Sequence, residues 1–129
     1  MKKLKRQNTI TCRSMRGEEV EVPIEKMHLR NSVYGIIPHE ELVLLVRTRT
    51  TGLYAFPGGG IHLGEPIKKA LLHEIQEETG IQVEINQFFH FDEDFFYFDS
   101  RDIGYHALLL FYLCTPLSSK LVADEGVID

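Results

Sequence analysis

One segment of this chain places acidic residues on the side of a helix where apolar residues also lie. At about 100° per residue, one arc of a helix over residues 66 to 79 contains the apolar residues Ile67, Ala70, Leu71 and Ile75. Glu74 and Glu78 fall inside the same arc, and Glu77 lies at its edge. Because an apolar arc normally packs against the protein interior, the sequence directs these carboxylates inward.

Inward-facing carboxylates destabilise this helix unless something neutralises them. No lysine or arginine lies one turn away from Glu74 or Glu78 on the helix. Both glutamates also lie near the C-terminal end of the helix, before Gly80, where the helix dipole favours cations over anions. Two carboxylates about 6 Å apart repel by roughly 3 kcal/mol at an effective dielectric near 20. The alternative, a solvated face with salt bridges, needs basic partners at this spacing. A divalent cation such as Mg²⁺ or Mn²⁺, which prefers oxygen ligands, would neutralise the pair.

A glycine-rich stretch precedes the predicted helix. The sequence Phe56-Pro57-Gly58-Gly59-Gly60 follows a predicted strand, and glycine allows a backbone to approach a phosphate closely. A flexible turn is the alternative explanation for a glycine triplet. Pro66 suits the first helical turn and Gly80 suits a left-handed C-terminal cap, so a helix is predicted over about residues 66 to 79.

The spacing of these residues resembles the Nudix box, G-x5-E-x7-R-E-U-x-E-E-x-G-U, where U is a bulky aliphatic residue. In this chain the pattern begins at Gly59, continues with Glu65, and ends with the run from His73 to Ile81. The resemblance implies an α/β class protein with the Nudix fold, a mixed β-sheet in an α/β/α sandwich. It also implies one domain over residues 1–129, with residues 1–27 as an N-terminal hairpin extension.

The resemblance implies a metal-dependent hydrolase. Nudix enzymes cleave the diphosphate linkage of a nucleoside diphosphate joined to a group X, giving a nucleoside monophosphate and phosphorylated X. The implied Mg²⁺ or Mn²⁺ ligands are Glu74, Glu77 and Glu78, with the Gly58 carbonyl as a further candidate. Glu74 and Glu78 are also the candidate general bases, because the box does not specify which glutamate accepts the proton.

Other box positions are expected to shape the site. Glu65 is expected to secure the turn and the start of the helix, and the backbone of Gly59 and Gly60 to lie against substrate. His73 stands where the family has arginine, and histidine offers fewer donors for holding a glutamate. A solvent-facing helix residue is the alternative role for His73. A non-hydrolytic, nucleotide-binding Nudix-like sensor is therefore the competing function, although such relatives commonly lose box acids.

Three residues outside the box are candidates for substrate contacts. Arg47 and Arg49 share strand parity before the glycines and could reach phosphates, or they could be surface residues. Tyr97 belongs to the aromatic run Phe95 to Phe98, which could stack on a base or pack in the core. It lies sixteen positions after Ile81, about where dinucleoside polyphosphate hydrolases of the family have a tyrosine. His106 is expected to be a core or surface residue.

Composition fits a globular intracellular enzyme. The chain has 129 residues, 43% of them hydrophobic, and a formal net charge of −5, which argues against binding nucleic-acid polymers. Cys12 and Cys114 are too few for a disulfide framework, so a cytoplasmic location is expected. The basic segment Met1 to Arg6 lacks an apolar signal core, and no membrane-spanning segment is predicted. A small-molecule nucleotide is the expected partner, and the N-terminal hairpin could mediate a homodimer.

Strand signals dominate outside the helix. Residues 8 to 13 and 19 to 24 are predicted to form a hairpin, as are residues 31 to 37 and 42 to 48. Further strands are predicted at 53 to 56, 81 to 91 and 105 to 114, the last of them central and covered on both faces. Nudix domains usually add a C-terminal helix, so we expect that this chain is a shortened form lacking the closing strand and helix.

Overall fold

The computed structural model describes residues 8–49, 52–117 and 127–128. The described elements are eleven strands and one α-helix, together with a short 3₁₀ turn at Ile24–Lys26. In chain order they are β1 (Thr9–Ser14), β2 (Glu19–Pro23), β3 (Met27–Ile36), β4 (Pro38–His39), β5 (Leu42–Val43), β6 (Val46–Thr48), β7 (Tyr54–Ala55), β8 (Gly58–Gly60), α1 (Ile67–Thr79), β9 (Val83–Phe98), β10 (Ile103–Pro116) and β11 (Val127–Ile128). This composition confirms the α/β class.

The chain divides into two compact units. Of the described residues, the first unit combines those up to Arg30 with Glu93–Leu108, and the second combines those between Asn31 and Asp92 with those from Leu109 onward. Strands β3, β9 and β10 contribute residues to both units.

The first unit is a sheet built around the N-terminal hairpin. Strand β1 pairs antiparallel with β2 and parallel with β9, in the order β2-β1-β9-β10-β3. Cys12 and Val22 are buried on its inner face. Met27 packs over Gly104, where a Cβ would stand 2.3 Å from the Met27 sulfur. The hairpin predicted over residues 8 to 24 is therefore confirmed.

The second unit contains the helix and the glycine-rich segment. Its main sheet has the order β9-β10-β3-β8, and β3 pairs antiparallel with β8 so that Val33 lies opposite Gly59. Helix α1 buries Ala70, Leu71 and Ile75 against the sheet. A smaller sheet has the order β11-β6-β7. The core therefore lies between α1 and the strands β3, β9 and β10.

Helix α1 has the predicted extent because its ends carry specific signals. Pro66 occupies the N-cap position, and Gly80 caps the C-terminus in the left-handed conformation with φ of 71° and an N–H bonded to the Gln76 carbonyl. The Thr79 hydroxyl donates to the Ile75 carbonyl at 2.6 Å. Ile67 differs from the expected apolar arc, since it is 38% exposed at the first turn.

Three predictions about strands need correction. Residues 31 to 37 and 42 to 48 do not form one hairpin, because β3 pairs with β8 and β10 while β4 pairs with β5 and β6 with β7. Strand β9 continues to Phe98, seven residues beyond the predicted end at Phe91. Strand β10 is central, but its side chains are mostly half-buried.

The incomplete burial of β10 agrees with the presence of a single α-helix among the described residues. Within residues 8–49, 52–117 and 127–128, α1 is the one α-helix, so the second helical layer of an α/β/α sandwich is not found there. That part of the chain also contains no helix both long and apolar enough to cross a membrane. Whether this chain is a shortened form of a longer domain stays a prediction.

Candidate active site

The three glycines form a strand rather than the predicted turn. Gly58–Gly60 is β8, an edge of the sheet paired with β3. Gly58 has φ of +151°, and a Cβ there would stand 2.1 Å from the Val33 carbonyl oxygen. Only glycine fits this position, because a side chain would collide with the backbone of the neighbouring strand.

Two glutamates of α1 lie against this glycine strand. The Gly58 N–H donates a hydrogen bond to Oε2 of Glu78 at 3.2 Å. A Cβ on Gly59 would stand 3.1 Å from the carboxylate carbon of Glu74. Both glutamates are half-buried, whereas their neighbour Glu77 is exposed. The inward direction predicted for Glu74 and Glu78 is confirmed.

The electrostatics of Glu78 reflect its surroundings. Burial, opposed by the Gly58 hydrogen bond and reinforced by the charges of Glu74 and Glu77, raises the pKa of the Glu78 carboxyl from 4.5 to about 7. Among the described residues, neither Glu74 nor Glu78 forms an ion pair with a basic side chain. No basic side chain of the described residues therefore neutralises the pair, and Glu74 raises the pKa of Glu78 through a side-chain hydrogen bond as well as through its charge.

Glu77 has a different environment. Its Oε1 lies 2.9 Å from Nε2 of His73, one turn earlier on α1, and the two side chains are 62% and 65% exposed. His73 therefore lies on the solvent side of the helix. The carboxylates of the helix divide into an inner pair, Glu74 with Glu78, and an outer residue, Glu77, that pairs with His73.

Comparison with protein-family models identifies this arrangement. The NUDIX domain model matches residues 28–129. This chain belongs to the Nudix hydrolase family. The match covers the glycine strand, the helix and the long strands β9 and β10. Residues 8–27, which form the N-terminal hairpin, precede it.

Curated Nudix relatives align with only part of their own length. Nudix hydrolase 2 of Arabidopsis thaliana is 29% identical over 120 residues, which are 87% of this chain and 41% of that protein. The ADP-ribose pyrophosphatase of Methanocaldococcus jannaschii is 36% identical over 58 residues, 43% of this chain and 34% of that protein. The chain thus spans less than half the length of these relatives.

Solved structures support the Nudix fold. The MutT protein of Bacillus halodurans superposes with a TM-score of 0.61 and 24% identity, covering 78% of this chain and 66% of that one. The similarity extends to the arrangement of a mixed sheet with a helix packed on it. The fold prediction is therefore confirmed at the level of class and family.

The remaining Nudix box residues hold the backbone around the helix. Oε1 of Glu65 accepts a hydrogen bond from the His62 N–H at 3.3 Å, and the Glu65 N–H donates to the His62 carbonyl at 3.0 Å. These contacts close the turn before α1, in agreement with the structural role expected for Glu65. Gly80 provides the left-handed C-terminal cap that the end of the predicted helix indicated.

Arg47 and Arg49, two of the residues predicted to contact substrate from outside the box, differ in position and exposure. Arg47 is half-buried in β6, opposite Tyr54 of β7, whereas Arg49 lies just past the end of that strand and is exposed. The strand parity assumed for the two arginines is therefore wrong, because β6 ends at Thr48. Their contact with phosphates stays a prediction.

Tyr97 belongs to the first unit, whereas the box glutamates belong to the second. Its hydroxyl donates to Oδ1 of Asp102 at 2.5 Å, and Oδ2 of the same carboxylate accepts from Lys26. These partners account for the position of Tyr97 at the end of β9, and its contact with a base stays a prediction. His106 pairs with Glu93 at 2.7 Å and stacks on Phe95. It is half-buried, as expected of a packing residue.

The inner carboxylate pair fits a divalent cation by its donor chemistry. Mg²⁺ is commonly held by one or two carboxylates together with substrate phosphates. Glu74 and Glu78 supply two carboxylates, and neither has a basic ion-pair partner among the described residues. No group of three His, Cys, Asp or Glu side chains is arranged as a metal site within the described ranges. Glu77 would have to leave His73 to complete such a group. The Gly58 carbonyl stays a predicted ligand.

Sequence reasoning missed two contacts that position the pair. These are the hydrogen bond from the Gly58 N–H to Glu78 and the approach of Glu74 to Gly59. Both depend on β8 being a strand paired with β3, which the glycine triplet did not indicate. The spacing from Gly58 to Glu78 offered a signal only once the helix was known to pack against that strand. Cys12 and Cys114 are free and buried.

Proposed function

We propose that this chain is a metal-dependent hydrolase of a nucleoside diphosphate joined to a group X, releasing a nucleoside monophosphate and phosphorylated X. The observation that supports this most strongly is the pair of half-buried carboxylates, Glu74 and Glu78, which lies against the Gly58–Gly60 strand and has no ion-pair partner in the part of the chain that the structure describes. The name of one relative, ADP-ribose pyrophosphatase, describes a reaction on a substrate of this class.

The inner pair would hold Mg²⁺ or Mn²⁺, and Glu77 is a further proposed ligand. The cation, when bound, neutralises diphosphate charge and lowers the pKa of an attacking water. The Gly58 N–H fixes one oxygen of Glu78, and the absence of a side chain on Gly59 leaves room for the carboxylate of Glu74. The strand thus orients both carboxylates before a ligand arrives.

The same pair supplies the candidate proton acceptors. A general base is most effective when its pKa lies near the working pH, and the pKa of Glu78 is raised to about 7 by burial and by its acidic neighbours. Glu74, on the same face of α1, is the second candidate. Loss of either carboxylate should therefore affect the chemical step as well as cation binding.

Other residues of the chain would contact the same nucleotide substrate. Arg47 and Arg49 would contact phosphates, and Gly59 and Gly60 would approach them through the backbone. The substrate is a small nucleotide rather than a nucleic-acid polymer or a membrane, and the setting is the cytoplasm. A homodimer would use the N-terminal hairpin.

A substrate panel tests the proposal directly. Nucleoside triphosphates, dinucleoside polyphosphates, nucleotide sugars and ADP-ribose are each incubated with Mg²⁺ or Mn²⁺ and wild type, Glu78→Gln or Gln76→Ala. Gln76 is exposed on the same helix, so its variant is the control. We expect hydrolysis by wild type and the control, with at least a roughly hundredfold loss of kcat in Glu78→Gln, of the order seen when a general base is removed.

Two results would contradict the proposal. An unchanged rate in Glu78→Gln would remove this residue from the mechanism. Nucleotide binding by wild type without hydrolysis of any panel member would favour the ligand sensor instead.

A further inference from the structure

The first unit contains an open pocket made of residues outside the Nudix box. Its apolar walls include Ile10 of β1, Ile24 of the 3₁₀ turn, Met27 and Leu29 of β3, and Phe95 of β9. All of these residues belong to the first unit, and the first three precede the part of the chain that the NUDIX model matches. The volume of about 370 Å³ is near the lower end for small-molecule sites, so the pocket suits a compound of one or two rings.

The pocket leaves large aliphatic side chains in contact with solvent. Ile24 is 45% exposed and Leu29 is 64% exposed. Single exposed hydrophobic residues are ordinary on a protein surface. These two line the same concavity, and a mostly apolar lining is typical of ligand pockets.

Two stacked rings contribute to the lining. The rings of Phe95 and His106 lie with their centroids 4.3 Å apart and their planes at 23°, and both residues line the pocket. A planar ligand ring can extend such a stack and gain the additional attraction of an aromatic pair, which an alkyl chain does not provide. The stacked pair therefore favours a flat ring as the occupant.

A hydrogen bond fixes the orientation of the His106 ring. Its Nε2 lies 2.7 Å from Oε2 of Glu93, and because an ionised carboxylate only accepts hydrogen bonds, the contact places the ring proton on Nε2. Nδ1 of the neutral imidazole is then an acceptor. None of the hydrogen bonds found among residues 8–49, 52–117 and 127–128 uses Nδ1 of His106. A ligand with an N–H group at the edge of its ring would satisfy this acceptor.

We propose that this pocket binds a small, flat heteroaromatic compound that carries an N–H group. Phe95 and His106 provide the stacking surface, and Nδ1 of His106 accepts the hydrogen bond from the ligand. The carboxylates of Glu74 and Glu78 belong to the second unit, so this inference does not depend on the proposed hydrolysis.

Titration of the full ¹⁵N-labelled chain with indole, followed by nuclear magnetic resonance, tests the proposal. Indole has two fused rings and one N–H group, 1-methylindole lacks the N–H group, and 1-hexanol represents an alkyl chain. We expect indole to bind with a Kd below about 1 mM, as is usual for a ligand of this size, and to shift amide signals of the pocket residues. Loss of one hydrogen bond should make 1-methylindole bind about threefold to tenfold more weakly.

The outcomes on the wild type decide the ligand class without any substitution. If indole produces no saturable shifts, or shifts only signals of the second unit, the pocket is not its site and the proposal is wrong. Binding of 1-hexanol as tight as that of indole would exclude a preference for flat rings. Equal affinities for indole and 1-methylindole would exclude the hydrogen bond to His106.

Two variants assign the binding to the stacked pair. Phe95→Leu keeps an apolar side chain but removes a ring, so it should weaken indole binding at least about twofold. His106→Phe keeps a ring but removes the acceptor, so it should weaken indole binding about threefold or more and leave 1-methylindole binding unchanged. Met15→Ala changes an exposed apolar residue of the same unit that does not line the pocket, and it should bind indole as wild type does.

The amide spectrum of each variant also shows whether it is folded. Folded Phe95→Leu and His106→Phe proteins that bind indole as tightly as wild type would overturn the proposal. An equal loss of indole and 1-methylindole binding in His106→Phe would also contradict it, because the acceptor would then play no part.

Discussion

The carboxylate of Glu74 lies so close to Gly59 that a single methyl group at position 59 would touch it. An ideal Cβ on Gly59 would stand 3.1 Å from both the carboxylate carbon and Oε2 of Glu74. The backbone at Gly59 is compatible with alanine, because its φ is not in the left-handed region. A side chain at position 59 is therefore disfavoured by contact with a glutamate of the helix rather than by the backbone conformation.

Gly59→Ala should displace the Glu74 carboxylate while leaving the protein folded. We expect cation affinity to fall several-fold and the free energy of unfolding to change by less than about 1.5 kcal/mol, since a flexible side chain can move. Calorimetric Mn²⁺ titration and urea unfolding measure the two effects. In a Glu74→Ala background the same change should have no further effect on Mn²⁺ affinity, and an equal loss in both backgrounds would exclude the contact as the cause.

Gly58→Ala should have a different outcome, although the position is adjacent. A Cβ on Gly58 would stand 2.1 Å from the Val33 carbonyl oxygen, and φ is +151°, so backbone must move. We expect a loss of at least about 3 kcal/mol in unfolding free energy, through separation of β8 from β3. Thermal unfolding followed by circular dichroism measures it. A variant as stable as Gly59→Ala would contradict the close pairing of these two strands.

The pKa of Glu78 predicts how stability depends on pH in metal-free protein. Because burial raises this pKa from 4.5 to about 7, the native state binds the proton more tightly than the unfolded state. The resulting stabilisation is complete below about pH 4.5 and is lost as the pH rises through about 7. Allowing for the half-exposed carboxyl, we expect a loss of about 1 to 2 kcal/mol between pH 5 and pH 8.

The comparison with Glu78→Gln isolates this contribution from other titrating groups. Urea unfolding of EDTA-treated protein should show a smaller decline with pH in the variant than in wild type. Saturating Mg²⁺ should reduce the decline in wild type, because a cation binds the deprotonated carboxylate. Identical pH profiles for wild type and the variant would contradict the environment described for Glu78.

The packing of α1 predicts which of two adjacent leucines matters for stability. Leu71 is fully buried, whereas Leu72 is 42% exposed. Leu71→Ala should lower the free energy of unfolding by about 2 to 5 kcal/mol through loss of burial and creation of a cavity, and Leu72→Ala should lower it by less than about 1 kcal/mol. Chemical denaturation measures the unfolding free energy of both variants. Equal losses would contradict the assignment of Leu71, and not Leu72, to the buried face of α1.

The sequence predicted the helix well because its determinants are local. The two ends of the helix are specified by Pro66 and Gly80, and its buried face by the period of its apolar residues. The structure shows both caps and the buried face where they were predicted. The inward direction of Glu74 and Glu78 followed from the same period. The family resemblance added the chemistry, because repulsion between carboxylates indicates a cation without indicating a substrate.

The strand pairings could not be predicted in the same way because they depend on distant partners. Strand β3 pairs with the glycine strand β8 instead of forming a hairpin with residues 42 to 48, and nothing local to either segment specifies that choice. Glu77 lay at the edge of the apolar arc, so the helical period did not decide its direction, and the structure shows it exposed beside His73. The contacts of Gly58 and Gly59 with the helix became visible only once β8 was in place.

The most direct test of the central claim is the position of a bound cation. Crystals of the protein soaked in Mn²⁺ are measured near the manganese absorption edge, and an anomalous difference map locates the ion. The account predicts a peak in contact with carboxylate oxygens of both Glu74 and Glu78, beside the Gly58–Gly60 strand. A peak bound elsewhere, or no peak at saturating Mn²⁺, would contradict it.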